Sequence, residues 1–119
     1  MTTAPGRTVR VEILARRDCP SRDLAISLVD EAIFATGVPA RVEMIDVVTE
    51  EQARRRRFLG SPSVRVDGRD VDPWADGRTD YSLSTRIYRT ERGLAGGPDV
   101  GWIGAALVHA AELAAAGGT

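Results

Sequence analysis

Hydrophobic and polar residues alternate over residues 8 to 15, TVRVEILA, and the run then ends in apolar residues. A period of two is typical of a half-buried strand near the centre of a sheet. The next segment has a period near four, which predicts a helix that begins at Pro20 and is stopped by Gly37 and Pro39. Its apolar face consists of two adjacent rows, Leu24, Leu28 and Ala32 beside Ala25, Val29 and Ile33.

Strand character returns over residues 41 to 48, RVEMIDVV, and a second helix follows. Thr49 with Gln52 is a capping-box pair, which predicts that a short helix begins there. Gly60 is expected to end it. Asp67-Gly68 then predicts a hairpin turn between Val64/Val66 and Val71.

The remaining pattern predicts a loop, a strand, a second loop and a last helix. Residues 73 to 80 are polar and rich in turn formers, whereas residues 84 to 89, STRIYR, have the composition of a strand. A glycine-rich loop follows through Gly93, Gly96 and Gly97, and Pro98 is expected to open the final helix. The inward residues of that helix are expected to be Val100, Ile103, Leu107 and Ala111.

These elements come in the order β-α-β-α-β-β-α, with the last strands antiparallel. Because a βαβ crossover is right-handed, the first helix lies on one face of the sheet and the second helix brings the chain back. The expected fold class is therefore α/β, a three-layer α/β/α sandwich with a mixed sheet. At 119 residues the chain is expected to form one domain, 1–119, with an ordered core of about residues 8–115.

The charge and composition limit the kinds of partner that the protein is expected to bind. All 16 basic residues are arginine, and the formal net charge is −1. No overall field therefore attracts the protein to nucleic acid or to an acidic membrane. The N-terminal MTTAPGRTVR lacks the apolar stretch of a secretory signal, and the apolar C-terminal run is interrupted by His109 and Glu112. The expected location is the cytoplasm, where a lone cysteine stays a thiol.

Cys19 is the only cysteine, and it stands between the first strand and the first helix in the stretch DCPSR. A thiolate at the start of a helix is stabilised by the helix dipole and by nearby cations, here Arg16, Arg17 and Arg22, while Asp18 opposes them. The alternative is an inert thiol, because free cysteine is among the most buried residue types. The residues by themselves leave both readings open.

Two features together resemble the thioredoxin-like superfamily: a cysteine at the start of the first helix, and Ser61-Pro62 immediately before the third strand. The resemblance spans roughly residues 8 to 115. More narrowly, GSPSVRVDGRDV, YSLSTRIYRT and GLAGGP are similar to small bacterial thioredoxin-family proteins, some of which are labelled alkylmercury-lyase-like. The resemblance implies a cis peptide bond at Ser61-Pro62, whose neighbouring backbone groups are free to hold an extended partner.

The chain departs from that family at both positions where a second redox cysteine is expected. Arg22 replaces the last residue of Cys-x-x-Cys, and Thr85 stands where the subgroup has a cysteine. The resemblance therefore implies a monothiol protein, a thiol-disulfide oxidoreductase if it is an enzyme at all. Cys19 is its expected nucleophile, with an accessible thiol.

The expected partner is a small thiol, such as glutathione as co-substrate, or a protein disulfide. Pro62 is expected to shape the binding groove, Ser61 and Ser21 to offer hydrogen bonds, and Arg22 to hold an anionic group. No other cofactor and no metal are expected.

Two other functions stay open at this stage. The second hypothesis, after the monothiol protein, is a non-catalytic thioredoxin-like scaffold that binds a partner or forms a homodimer. A third reading is an organomercurial- or mercury-binding protein, which needs two thiolates and so a cysteine from each of two chains.

Other residues are expected to be structural. The run RRRR, residues 54 to 57, could bind phosphate or nucleic acid. On a short helix of a net acidic chain it would point around all faces, so a solvated helix is the favoured expectation. His109 is expected at the surface, and four aromatic residues are expected to cap the core, Trp74, Tyr81, Tyr88 and Trp102. The loop 73–83 is longer than a hairpin needs and is a candidate binding loop. The spacing of Asp70, Asp72, Asp76 and Asp80 matches no calcium loop.

Overall fold

The structure is a computed structural model that describes residues 8–117. Its main sheet contains β1 (Val9–Ala15), β2 (Ala40–Asp46), β3 (Ser63–Val66) and β4 (Arg69–Asp70). The strand order is β2-β1-β3-β4. β1 pairs in parallel with β2 and antiparallel with β3, and β3 pairs antiparallel with β4. The fold is thus mixed α/β with a mixed sheet, as the pattern predicted.

Two helices cover one face of this sheet. They are α1 (Arg22–Thr36) and α3 (Val100–Gly117), and they pack on the side chains that alternate inward from β1 and β3. The centre of this core is fully buried and aliphatic. It consists of Val11, Ile13, Val29, Val64, Ile103 and Leu107.

On the opposite face of the sheet lies one short helix. α2 (Glu50–Arg55) has six residues, and its Ala53 packs with Phe58 against Leu14 and Val47. Farther along that face Glu12 and Arg65 lie opposite each other on β1 and β3. The expected third layer is therefore present as one short helix.

The hairpin and the second helix start as the sequence predicts. Asp67 and Gly68 both have positive φ angles, 49° and 85°, at the turn between β3 and β4. Both central residues of a type I′ turn require such angles, which asparagine, aspartate and glycine tolerate best. At the start of α2, Thr49 Oγ1 accepts a hydrogen bond from the Gln52 backbone N–H at 3.0 Å.

Several predicted boundaries are wrong. α1 begins at Arg22 instead of Pro20, and α3 begins at Val100, two residues after Pro98. The strand predicted at 84–89 is β5 (Tyr88–Thr90), which pairs with β6 (Gly93–Ala95) in a separate two-stranded sheet. Gly93 therefore belongs to a strand, because the turn that precedes it closes a hairpin.

The second helix also ends earlier than predicted. α2 ends at Arg55 instead of near Gly60, because Arg57 adopts a left-handed conformation with φ 55° and the Phe58 N–H donates to the Ala53 carbonyl. Gly60 is needed for a different reason. Its φ angle is positive, 117°, and a Cβ there would lie 2.9 Å from Cβ of Arg86, so a larger residue would not fit.

Within the described residues, every helix is too short or too polar to cross a membrane. The predictions about the N-terminal MTTAPGR and the final residues 118 and 119 concern parts of the chain outside residues 8–117.

Candidate functional site

Cys19 lies in the turn that joins β1 to α1. Its backbone N–H donates to the Arg16 carbonyl at 3.2 Å, and its carbonyl accepts from the Arg22 N–H at 3.2 Å. The residue is 9% exposed and the thiol is free. Cys19 therefore stands three residues before the first helical residue, and the expectation of an openly accessible thiol is not met.

The arginines expected around the thiol are all paired with carboxylates. Arg16 binds Asp18 at 3.2 Å, and this contact raises the pKa of Arg16 and lowers that of Asp18. Arg17 and Arg22 both approach Asp46, at 3.4 and 3.9 Å. Arg22 therefore lies near a carboxylate of its own chain, which it shares with Arg17.

Ser61 links the segment before β3 to the loop that carries Cys19 through a hydrogen bond. Its Oγ accepts a hydrogen bond from the Arg16 backbone N–H at 3.0 Å. The Ser61-Pro62 peptide bond is cis, as the resemblance implies. Ser61 is only 1% exposed and Pro62 is completely buried, so both residues lie beneath the surface beside the Cys19 loop.

The backbone groups next to Pro62 are already occupied. The Ser61 N–H donates to the Ser84 carbonyl at 2.7 Å, and the Ser61 carbonyl accepts from the Arg86 N–H at 2.9 Å. The prediction that these groups are free to hold an extended partner is therefore wrong. The segment that follows the long 73–83 loop fills the position where such a partner would pair.

Thr85 is the middle residue of the segment that pairs with Ser61. It forms a parallel β-bridge with Ser61, and two further hydrogen bonds hold its segment in place. The Ser82 N–H donates to the Phe58 carbonyl at 3.0 Å, and the Leu83 N–H donates to a carboxylate oxygen of Glu50 at 2.7 Å. The position where the resemblance places a second cysteine thus lies beside Ser61 and close to the Cys19 loop.

Ser21 is the N-cap residue of α1, but its side chain makes no capping hydrogen bond. The loop between β6 and α3 approaches it closely. A Cβ on Gly96 would lie 2.4 Å from Ser21 Oγ, and one on Gly97 would lie 3.0 Å from Cδ1 of Leu28. These two glycines therefore let the loop pack on the first turns of α1, and Ser21 is half-buried by it.

A buried charged cluster lies behind Pro62, and the sequence analysis missed it. The Arg86 guanidinium donates to Asp70 at 2.7 and 3.2 Å and to Asp72 at 3.3 Å. It also donates to Ser63 Oγ at 3.1 Å and lies 4.3 Å from the centre of the Tyr88 ring. The Arg86 side chain is 2% exposed, against 12% and 9% for the two carboxylates.

Tyr88 connects this cluster to the proline. Its hydroxyl donates to the Pro62 carbonyl, and burial raises the pKa of Tyr88 far above its usual range. The signal that could have found the cluster is the alternation in RIYR, which turns Arg86 and Tyr88 to one side and leaves Ile87 and Arg89 exposed. Two aspartates in the preceding segment then supply the opposite charges that a buried arginine needs.

The aromatic residues do not act as one group. Tyr88 is buried and Trp102 is half-buried 6.4 Å from it, as expected of core residues. Trp74 is 77% exposed, so the expectation for that residue is wrong. His109 is at the surface, as predicted.

Within residues 8–117, there is no group of three or more His, Cys, Asp or Glu side chains placed to hold a metal ion. The hypothesis of mercury binding across two chains stays a prediction. The expected binding role of loop 73–83 likewise stays a prediction.

Comparison with known proteins yields no matching family model, no matching curated protein and no matching solved structure.

Proposed function

We propose that the chain is a thioredoxin-like protein whose single thiol exchanges with small disulfides. The strand order β2-β1-β3-β4 and the two helices on one face support this class. The observation that carries the proposal is the hydrogen bond from the Arg16 N–H to Ser61 Oγ, 3.0 Å long. It joins the loop of the only cysteine to the Ser-Pro segment before β3, which is the pairing expected of a thioredoxin-like thiol site.

The reaction needs one thiol from the protein and one from solution. The Cys19 thiolate attacks one sulfur of a disulfide R–S–S–R, forms the mixed disulfide Cys19–S–S–R and releases R–S⁻. An external thiol R′–SH then loses its proton to water, attacks the R sulfur as a thiolate and restores the Cys19 thiolate, which leaves R–S–S–R′. No internal resolving cysteine is required, which suits a chain with one cysteine.

The hydrogen bonding around Ser61 favours small disulfides over extended peptide segments. A peptide that added as a strand would need free backbone groups for its affinity. At Ser61 both groups are bonded to Ser84 and Arg86 instead. A small thiol such as glutathione needs access to the sulfur only, so it is the better candidate co-substrate.

A second candidate function is a non-catalytic scaffold that binds a partner or forms a homodimer. The 9% exposure of Cys19 and the burial of Ser61 and Pro62 favour it, since a catalytic thiol must meet its substrate. The two candidates differ in whether Cys19 reacts in the native protein.

A disulfide-exchange assay separates them. Wild type and Cys19→Ser are compared for the reduction of a small disulfide by excess glutathione, with a peptide-length disulfide as the second substrate. The proposal expects the wild type to accelerate reduction of the small disulfide and Cys19→Ser to show the background rate. Equal background rates in both proteins, together with no labelling of the native thiol by a thiol reagent, would leave the scaffold.

A further inference from the structure

A cleft of about 510 Å³ lies at the C-terminal end of α2. We call it the arginine pocket, and its lining residues are Asp46, Gln52, Arg55, Arg56, Arg57 and Arg65. Four of the six are arginines. They come from the end of α2 and from β3, while Asp46 ends β2.

The turn at the end of α2 explains why consecutive arginines line one cleft. Arg56 is the C-cap residue, and Arg57 leaves the helix in a left-handed conformation with φ 55°. The backbone therefore bends back on itself, with the Phe58 N–H bonded to the Ala53 carbonyl at 2.8 Å. On a continuous helix these side chains would be spread around the axis, as the sequence pattern predicted.

The arginine pocket carries positive charge that the described residues do not neutralise. Arg55 pairs with Glu51 at 3.0 Å, and the Arg65 guanidinium donates to the backbone carbonyls of Arg56 and Arg57. Within residues 8–117, the guanidinium groups of Arg56 and Arg57 form no ion pair. The exposed fraction of both residues is high, so their charges are available to a ligand.

The two remaining lining residues are compatible with an anion. Asp46 is the one carboxylate of the arginine pocket, and Arg17 and Arg22 hold it at 3.4 and 3.9 Å. Gln52 uses its side-chain oxygen to accept from the Val48 N–H at 2.8 Å. Its amide hydrogens are therefore the part of the side chain that can donate to a ligand.

Arg57 occupies a conformation that costs stability in any residue with a Cβ. The left-handed position after a helix is usually glycine or asparagine, because other residues meet steric strain there. Strained residues of this kind concentrate at binding and active sites. An arginine in this conformation is explained if its guanidinium group contributes to binding.

We propose that the arginine pocket binds the phosphate groups of a small phosphorylated molecule. Guanidinium groups bind phosphate through paired N–H donors, and several of them converge here in one cleft of ligand size. Asp46 opposes an anion in this cleft, but Arg17 and Arg22 offset its charge. This site does not depend on the chemistry of Cys19.

Calorimetric titration with inorganic pyrophosphate at low ionic strength tests the proposal. Wild type is compared with Arg57→Gly and Arg56→Gln, and with Arg54→Gln as the matched control from the same run, since Arg54 does not line the arginine pocket. We expect saturable one-to-one binding. Each pocket variant is expected to weaken it on the order of tenfold, whereas Arg54→Gln changes it by less than about threefold.

Two further measurements make the outcome specific. Arg57→Gly relieves the left-handed strain, so its thermal unfolding midpoint is expected to rise while its pyrophosphate binding falls. Cys19→Ser is expected to bind pyrophosphate like the wild type, so failure of the thiol proposal would leave this one intact. Equal weakening by Arg54→Gln and the pocket variants, absence of saturable binding, or binding of an oligonucleotide but not of pyrophosphate would overturn it.

Discussion

Arg86 lies inside the protein, where its charge is tolerated because two carboxylates and a tyrosine ring surround it. Its guanidinium contacts Asp70 at 2.7 Å and Asp72 at 3.3 Å, and its own backbone N–H pairs with Ser61. Burial is the largest influence and acts against the charge of Arg86, but Asp70, Tyr88 and Asp72 together outweigh it, and the pKa of Arg86 is raised. One residue therefore links the β4 end of the sheet to the segment before β3.

Replacing Arg86 tests this account at the scale of one residue. Arg86→Met keeps the side-chain length but leaves Asp70 and Asp72 as unpaired buried charges, so we expect a loss of about 3–5 kcal/mol in the free energy of unfolding. Arg89→Met is the control, because Arg89 is exposed in the neighbouring strand β5. Urea unfolding measures both variants. An Arg86→Met loss as small as that of Arg89→Met would contradict the role of the cluster.

At the scale of elements, the chain between β4 and β5 forms part of the Cys19 site. This long segment returns to pair with Ser61 through Ser84 and Arg86, with Thr85 bridged to Ser61, and Ser61 in turn is bonded to the loop that carries Cys19. We therefore expect a thiol placed at position 85 to lie near the native one. The segment also explains why an extended partner has no free backbone at Ser61.

We predict that Thr85→Cys forms an intramolecular disulfide with Cys19. The reason is the chain of contacts from the Cys19 turn through Arg16 to Ser61 and on to Thr85. Mild oxidation followed by free-thiol counting and mass spectrometry measures it. Thr79→Cys is the control, since Thr79 is exposed in the same segment. Persistence of two free thiols, or cross-linking only between chains, would show that position 85 is not within reach of Cys19.

At the scale of the whole molecule, stability is expected to depend on pH through Tyr88. Burial raises its pKa in the folded protein, whereas the unfolded chain ionises near pH 10. Above about pH 10 the unfolded state loses a proton that the folded state keeps, so the free energy of unfolding falls as the pH rises. Below that pH the contribution is fully present.

Urea unfolding between about pH 8 and pH 11 measures this dependence. We expect a decline that approaches about 1.4 kcal/mol per pH unit above pH 10 in the wild type. Tyr88→Phe should cost about 1 kcal/mol at neutral pH, because the bond to the Pro62 carbonyl is lost, and should flatten the alkaline decline. An equal decline in Tyr88→Phe would assign it to other groups. Tyr81→Phe serves as the control.

The elements with strong periodicity could be predicted from the chain. The alternation in β1 and the two apolar rows of α1 identify these elements, and Asp67-Gly68 identifies the hairpin, because each signal is local. The strand predicted at 84–89 failed for a physical reason. Residues 84–86 pair with Ser61, which is more than 20 residues away in sequence, and a local pattern cannot indicate such a pairing. Strand β5 therefore contains only Tyr88–Thr90.

Some features of the candidate site could likewise be predicted from the sequence, and others could not. The position of Cys19 between β1 and α1 follows from the sequence, whereas its 9% exposure depends on how the surrounding chain packs. The pairing of Arg17 and Arg22 with Asp46 and the surroundings of Arg86 also involve residues far apart in sequence. Resemblance suggested that Ser61 and Pro62 lie near the thiol, but it did not indicate that they are buried.

The sequence by itself determined the order of most elements, the α/β class and the presence of a single thiol before the first helix, because these depend on neighbours along the chain. The tertiary structure alone decided which polar groups are still free to bind a partner. In the folded chain the backbone groups of Ser61 are already hydrogen-bonded, and Arg86 is buried between carboxylates. Consecutive arginines also line one cleft at the end of α2. Whether a polar group is free to bind a partner depends on contacts between segments that are distant in sequence, and the sequence pattern does not indicate those contacts.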